Sequence, residues 1–168
     1  MPATDPSDTP TRYSQCRPFV VEDDGDFRLL LTRAFAKAGV PKDRLRMVAD
    51  GEQAIEALKP VTPDPLLREN LPPSLIVLDL NLPKRSGLDV LAWIRERPEL
   101  QEVPVFMLTS SEHPDHIARA FELRTDSYFV KPATSKELQE IVEGMLGFWF
   151  TRTHRRLPKS GVTQPEQS

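Results

Sequence analysis

Reactive side chains follow four separate apolar runs of the chain. Glu22 and Asp23 come directly after the first run, Asp79 follows the second, Thr109 the third and Lys131 the fourth. If these runs are neighbouring parallel strands, their carboxyl ends share one edge of a sheet, and three carboxylates, a hydroxyl and an ammonium meet there. Clustered carboxylates repel one another unless a cation lies among them. All-oxygen ligands with room for water favour Mg²⁺ at such a site.

Each of these residues also has a plain structural interpretation. An aspartate after a strand is a common helix cap or turn former, which applies singly to Asp23, Asp24 and Asp79. Thr109 alone would more simply cap the next helix, and Lys131 alone would be a solvated loop residue. The functional interpretation gains weight because reactive groups follow apolar runs in four separate segments.

The apolar periodicity predicts the elements that position these residues. Short apolar runs alternate with segments whose apolar residues recur at intervals of three and four, which is the helical spacing. Five strands alternating with five helices indicate parallel strands joined by right-handed crossovers, so we predict an α/β fold with a doubly wound five-stranded parallel sheet. The predicted strands lie at 17–21, 45–49, 75–78, 103–108 and 128–130.

Length and composition are those of one ordinary globular domain. The chain has 168 residues, of which 39% are hydrophobic and 28% charged. It has no apolar run long enough to span a bilayer and no secretory signal, and the single cysteine, Cys16, excludes a disulfide framework. These features predict a cytoplasmic protein without a membrane partner. The net charge of −3 argues against nucleic acid as the main partner.

The prolines predict the domain boundaries. Of the 17 prolines, four lie within residues 1–18, five within 60–73 and two within the last eleven residues. Because proline can neither continue a helix nor donate to a sheet ladder, these clusters mark a leader, an internal loop and a tail. We therefore expect a flexible leader at 1–17, a folded domain at 18–150 and a basic tail at 151–168.

The order and spacing of the reactive residues resemble the receiver domain of two-component response regulators. The matching segments are FVVEDD at 19–24, LDLNLP at 78–83 with Gly87 beyond it, LTS at 108–110 and YFVKP at 128–132. The LDLNLP segment, the proline-rich insert before it and the long apolar last helix are similar to single-domain regulators associated with phytochrome-type histidine kinases. The resemblance implies a flavodoxin-like sheet with the strand order 2-1-3-4-5.

The resemblance also implies a role for each site residue. Asp79 would accept a phosphoryl group from the phosphohistidine of a sensor histidine kinase, here a bacteriophytochrome. Lys131 would pair with the phosphoryl oxygens and stabilise charge in the transition state. Asp23, Asp79 and the backbone carbonyl of Asn81 would bind Mg²⁺. Glu22, where the family often has aspartate, would hold a water on the metal.

Thr109 and Tyr128 are the switch that the resemblance implies. In the family the hydroxyl moves to the phosphoryl group and the aromatic ring turns into the vacated space, which changes the surface of helix four, strand five and helix five. Ser110 would leave the path to the phosphoryl group open, and the Lys131–Pro132 bond is expected to be cis. Taken without the resemblance, Tyr128 is an ordinary half-buried aromatic.

The end of the last helix is the candidate protein contact. Only 18 residues follow Phe150, too few for a helix-turn-helix unit, so we expect output through an as yet unknown protein and not through nucleic acid. Met145, Leu146, Phe148, Trp149 and Phe150 are apolar almost all round the helix. This pattern predicts a homodimer with residues 148–150 near the centre of its interface. The alternative is that the segment folds back on its own sheet.

Three functions are compatible with these sequence features. The leading one is a phosphoryl-accepting signalling switch that has no external substrate. A pseudo-receiver would keep the fold without phosphorylation, but the acceptor, the acidic pair and the lysine are all present. A small Mg²⁺-dependent hydrolase could use Asp79 as its nucleophile, yet such enzymes generally need a cap segment or an acidic residue at position 81, which is Asn81.

Overall fold

Strands and helices alternate through residues 11–154, the part of the chain that the computed structural model describes. The strands are β1 (Pro18–Val21), β2 (Arg46–Val48), β3 (Leu75–Leu78), β4 (Val105–Thr109) and β5 (Ser127–Val130). The helices are α1 (Gly25–Lys37), α2 (Gly51–Leu58), α3 (Gly87–Arg95), α4 (Pro114–Glu122) and α5 (Ser135–His154). The strands are all parallel in the order β2-β1-β3-β4-β5, which confirms the predicted flavodoxin-like fold.

The central strands are continuously apolar because helices cover both faces of the sheet. Every residue of β1, β3 and β4 is buried. One face packs against α1 and α5, and the other packs against α2, α3 and α4. A side chain directly after the carboxyl end of such a strand can therefore reach solvent. The reactive groups that follow these strands lie at the carboxyl edge of the sheet.

Helix caps fix the short loops that carry the site. The carboxylate of Asp24 accepts hydrogen bonds from the backbone N–H groups of Asp26 and Phe27, so only three residues separate β1 from α1. This confirms the capping interpretation for Asp24. Thr109 does not cap α4, because the N-cap of that helix is His113, four residues further on.

The N-terminal boundary of the folded body lies earlier than the sequence predicts. Cys16 is fully buried in the core between the sheet, α1 and α5, and the ring of Tyr13 packs edge-on against Phe150 at 6.1 Å. The hydroxyl of Thr11 donates to the carbonyl of Gly39 at 2.6 Å. Residues 11–17 therefore pack on the domain and are not a flexible leader; the rest of the expected leader, residues 1–10, lies outside the described residues.

The last helix continues past the expected domain end at residue 150. It reaches His154, and Arg152 on it pairs with Glu102 at 3.0 Å and with Asp126 at 3.7 Å. These ion pairs attach the helix end to the loops that precede β4 and β5. Residues 155–168 of the expected tail lie outside the described residues. Within 11–154, no helix combines the length and the apolar character needed to cross a bilayer.

Candidate functional site

The carboxyl ends of β1, β3 and β5 bring four of the predicted site residues into one pocket. Glu22, Asp23 and Asp79 each offer one carboxylate oxygen, and these three atoms lie within 4.8 Å of one another. The ammonium nitrogen of Lys131 lies 2.9 Å from Oδ2 of Asp79 and 2.8 Å from Oε2 of Glu22. Segments more than fifty residues apart in the chain therefore meet around Asp79.

The pocket is closed at its base and open at its mouth. Glu22 and Asp79 are 2% and 5% exposed, whereas Asp23 is exposed to solvent. Burial raises the pKa of Glu22 and the charge of Asp79 adds to that effect, against the hydrogen bonds from Lys131 and the N–H of Asp24. Positive charge in the pocket therefore stabilises the ionised form of Glu22.

Lys131 is a part of the pocket and not a solvated loop residue. Its side chain is 16% exposed, and its ammonium lies 4.5 Å from the centroid of the Phe27 ring. Burial by itself would lower the pKa of this lysine, but the hydrogen-bonded carboxylates of Glu22 and Asp79 raise it above its usual value. The group therefore stays a cation beside Asp79 at neutral pH.

The expected cis bond at Lys131–Pro132 is wrong. Every peptide bond of the described residues is trans, this one included. Trans is the default even before proline, where it is favoured by roughly 0.5–1 kcal/mol. Lys131 reaches both carboxylates with its trans bond in place.

Neighbouring backbone fixes the orientation of Asp79. Its Oδ1 accepts a hydrogen bond from the N–H of Asn81 at 3.2 Å, while Oδ2 accepts from Lys131. Gly87 lets α3 start close by, because a Cβ there would overlap the carbonyl oxygen of Asp79. The N–H of Gly87 also donates to the carbonyl of Leu80 at 2.9 Å. The sequence shows Gly87 only as part of a motif. The structure shows that a glycine is needed here because the backbone of Asp79 leaves no room for a Cβ.

The two predicted switch residues meet at Ser111, which sequence reasoning missed. Thr109 is fully buried, and its hydroxyl accepts from the N–H of Ser111 at 3.3 Å. The hydroxyl of Tyr128 donates to the carbonyl of the same residue at 2.8 Å. Burial and the charge of Asp79 raise the pKa of Tyr128, against the effect of this hydrogen bond, so the phenol stays protonated. Both contacts use backbone atoms of Ser111. Because its side chain takes no part in them, the residue type could not predict this role.

The three predicted interface residues are in different environments. Phe148 is 42% exposed and stands edge-on against Phe106 at 5.6 Å. Phe150 is covered by Tyr13 and by the guanidinium of Arg12, 4.1 Å from its ring centroid. Trp149 packs partly buried against the core. The fold-back alternative therefore fits Trp149, whereas Phe150 is covered by the N-terminal segment and not by the sheet.

The donor set fits a hard divalent cation. Glu22, Asp23 and Asp79 supply only carboxylate oxygens, and three carboxylates against the single ammonium of Lys131 leave an excess of negative charge. Mg²⁺ prefers such oxygen ligands and keeps several waters, which the open side at Asp23 provides for. Among the residues from 11 to 154, this is the one cluster of His, Cys, Asp or Glu side chains close enough to hold an ion.

Comparisons with known proteins agree with this geometry. The family model of the response regulator receiver domain matches residues 19–143. Response regulator Rcp1 of Synechocystis sp. is 44% identical over 83 residues, which are 49% of this chain and only 56% of that relative. The alignment thus spans little more than half of Rcp1.

Two solved structures share the fold over most of their length. The phosphorylated cyanobacterial phytochrome response regulator RcpA has a TM-score of 0.68 and 33% identity, covering 80% of this chain and 94% of that one. The Mn²⁺-bound form of Rcp1 has a TM-score of 0.64 and 29% identity, covering 89% and 98%. The chain therefore belongs to the receiver-domain family of response regulators and is related to the phytochrome response regulators.

Proposed function

We propose that this protein is a response regulator that accepts a phosphoryl group on Asp79 in a Mg²⁺-dependent reaction. The observation that carries the proposal is the position of Lys131, whose ammonium contacts the Asp79 carboxylate inside an acidic pocket. Receiver domains act as signalling switches and bind Mg²⁺ or Mn²⁺ at such a pocket, and the related Rcp1 structure holds Mn²⁺.

Asp79 is arranged to act as the nucleophile. A carboxylate oxygen of Asp79 attacks phosphorus, the new P–O bond forms, and the P–N bond breaks with its electron pair returning to the imidazole of the donor. Asn81 and Lys131 hold the carboxylate in one orientation before the reaction. Lys131 then pairs with the phosphoryl oxygens. Mg²⁺ bound by Asp23, Asp79 and the carbonyl of Asn81, with Glu22 holding a water on the ion, would neutralise the charge between nucleophile and phosphoryl group.

The new charge on Asp79 is read by Thr109 and Tyr128. Phosphorylation adds almost two negative charges and strong acceptor oxygens at the edge of the sheet where β4 ends in the buried Thr109. When that hydroxyl turns toward the phosphoryl group, it gives up its hydrogen bond from the N–H of Ser111. The carbonyl of Ser111 accepts a hydrogen bond from Tyr128, so the change at Ser111 reaches Tyr128. The signal is then a changed surface formed by α4, β5 and α5.

The proposed donor is a sensor histidine kinase of the phytochrome type. Response regulators receive their phosphoryl group from sensor histidine kinases, and the similarity to the phytochrome response regulator RcpA and to Rcp1 supports the phytochrome type. The test is transfer of a radioactive phosphoryl group from an autophosphorylated bacteriophytochrome kinase to the protein. Label should appear on the protein with Mg²⁺ and be lost with a chelator. A protein that stays unlabelled under both conditions contradicts the proposal.

A homodimer through the face formed by α4, β5 and α5 completes the proposal. Phe148 and Val130 are both exposed on this face, and a shallow groove beside them is lined by Phe129 and Ile141. Sedimentation of the variant Phe148→Ser tests it, with Leu66→Ser on the exposed insert as the matched control. We expect Phe148→Ser to shift the protein toward the monomer mass and Leu66→Ser to leave the mass unchanged. Equal masses for both variants would refute the proposed interface.

A further inference from the structure

A cavity of about 240 Å³ lies at the opposite end of the sheet from Asp79. It is lined by the amino-terminal residues of β1 and β2, the end of α2 and the proline-rich segment 60–73. Phe19 and Leu58 line it, and each is only 2% exposed. The cavity therefore combines an apolar floor with an opening toward solvent, away from the acidic pocket.

Hydrogen bonds hold the proline-rich wall of this cavity in place. The N–H of Thr62 donates to the carbonyl of Asn70 at 2.8 Å and closes the insert on itself. The guanidinium of Arg17 donates to the carbonyl of Pro72 at 2.7 Å, and the N–H of Arg17 donates to the hydroxyl of Ser74 at 2.9 Å. The wall is thus tied to the strand that supplies the floor.

The polar part of the lining is dominated by guanidinium groups without ion-pair partners. Arg17, Arg44 and Arg46 line the cavity, as do the carboxylates Asp43 and Glu69. Within the part of the chain that the structure describes, neither carboxylate lies within 4.0 Å of a guanidinium nitrogen of these arginines. The lining therefore carries three guanidinium groups against two carboxylates, which leaves one positive charge in excess.

Arg17 and Arg44 repel each other across this space. Burial lowers the pKa of Arg17, and the positive charge of Arg44 lowers it further. A half-buried cation beside a second cation is destabilising unless an anion lies between them. A carboxylate suits this place because it can accept two parallel hydrogen bonds from a guanidinium.

We infer that this cavity is a binding site for a small organic carboxylate, with its charge at Arg17 and Arg44 and its apolar body against the half-buried side chains of Ala57 and Val61. The guanidinium of Arg46, 5.8 Å from the centroid of the Phe19 ring, borders the same floor. The volume lies below the roughly 300–1,000 Å³ of drug-sized pockets, which limits the occupant to about one ring and its carboxylate. The inference is independent of phosphorylation at Asp79.

Titration of the full chain with benzoate, followed by amide NMR, tests the site. Acetate and benzyl alcohol are the comparison probes, because each carries only one half of the proposed ligand chemistry. We expect benzoate to shift the amide signals of Phe19, Leu58 and Val61 and to bind at least tenfold more tightly than either comparison probe. Absence of these shifts, or benzyl alcohol binding as tightly as benzoate, overturns the inference.

Arg44→Gln tests the contribution of a single positive charge to ligand binding while keeping the fold intact. The side chain of Arg44 makes no hydrogen bond to a described residue between 11 and 154, so the variant loses no side-chain hydrogen bond. Arg33→Gln, an exposed arginine on α1, is the matched control. We expect benzoate affinity to fall at least tenfold in Arg44→Gln and to stay unchanged in Arg33→Gln. Equal affinities for the two variants overturn the inference.

Discussion

The hydroxyl of Tyr128 donates a hydrogen bond to the backbone carbonyl of Ser111 at 2.8 Å. The N–H of Ser111 is held by Thr109 at the same time, and the Ser111 hydroxyl lies 2.7 Å from Nδ1 of His116 on α4. A movement of Thr109 toward Asp79 therefore changes the hydrogen bonding of a residue that is tied to both β5 and α4. This arrangement gives the proposed switch a physical path to the surface.

Tyr128→Phe should lower the free energy of unfolding by roughly 0.5–1.5 kcal/mol, because one partly buried hydrogen bond to Ser111 is lost. Urea denaturation measures the change. Tyr13→Phe is the control, since the hydroxyl of Tyr13 has no hydrogen-bond partner among the described residues. That control should leave the free energy of unfolding nearly unchanged, and equal losses in the two variants would contradict the arrangement.

Gly87→Ala should destabilise the domain by roughly 1–3 kcal/mol, because the added methyl overlaps the backbone of Asp79 and must displace it. Gly144→Ala on α5 is the matched substitution, since a Cβ there meets nothing within 4 Å. We expect Gly144→Ala to stabilise the protein by up to about 1 kcal/mol through helix propensity. Thermal unfolding of both variants compares them; a neutral Gly87→Ala would show that the close approach is not needed.

The fold and the pocket could be predicted because they rest on residue types. Apolar runs such as Leu75–Leu78 predict buried parallel strands, and a charged residue such as Asp79 directly after one must lie at the sheet edge. The strand order followed from the resemblance to a family and is confirmed. Lys131 could be assigned to the pocket on the same grounds.

The parts that could not be predicted depend on backbone groups and on packing between distant segments. Ser111 acts through its N–H and carbonyl, which every residue type except proline possesses. The docking of residues 11–17 rests on Tyr13 and Cys16 within an otherwise polar segment, too few apolar residues to form a pattern. The same segment covers Phe150. The apolar surface left for a partner at the end of α5 is therefore smaller than the sequence predicts.

Mg²⁺ should stabilise the protein against unfolding, because the carboxylates of Glu22, Asp23 and Asp79 meet only in the folded state. At an ion concentration ten times the Kd, linkage gives an increase of about 1.4 kcal/mol in the free energy of unfolding. Asp23→Asn should abolish this increase, whereas Asp26→Asn, an exposed carboxylate in the first turn of α1, should retain it. Denaturation with and without Mg²⁺ measures both; identical increments would place the ion elsewhere.

Burial raises the pKa of the Cys16 thiol from 9.0 to about 12. The unfolded chain therefore loses this proton first as the pH rises, and the stabilisation that the neutral thiol provides is lost between pH 9.0 and about 12. The wild type should lose up to roughly 1.4 kcal/mol per pH unit more than Cys16→Ala across this window. Urea denaturation at several pH values tests this, and parallel curves would mean that Cys16 is not buried with residues 11–17.

The acceptor role of Asp79 is tested most directly by intact-mass measurement after incubation with Mg²⁺ and a small phosphoramidate donor. Asp89→Asn is the control, because it removes an exposed carboxylate from the first turn of α3. The wild type and Asp89→Asn should each gain the mass of one phosphoryl group, and Asp79→Asn should gain none. The same mass gain in Asp79→Asn would contradict the assignment of Asp79 as the phosphoacceptor.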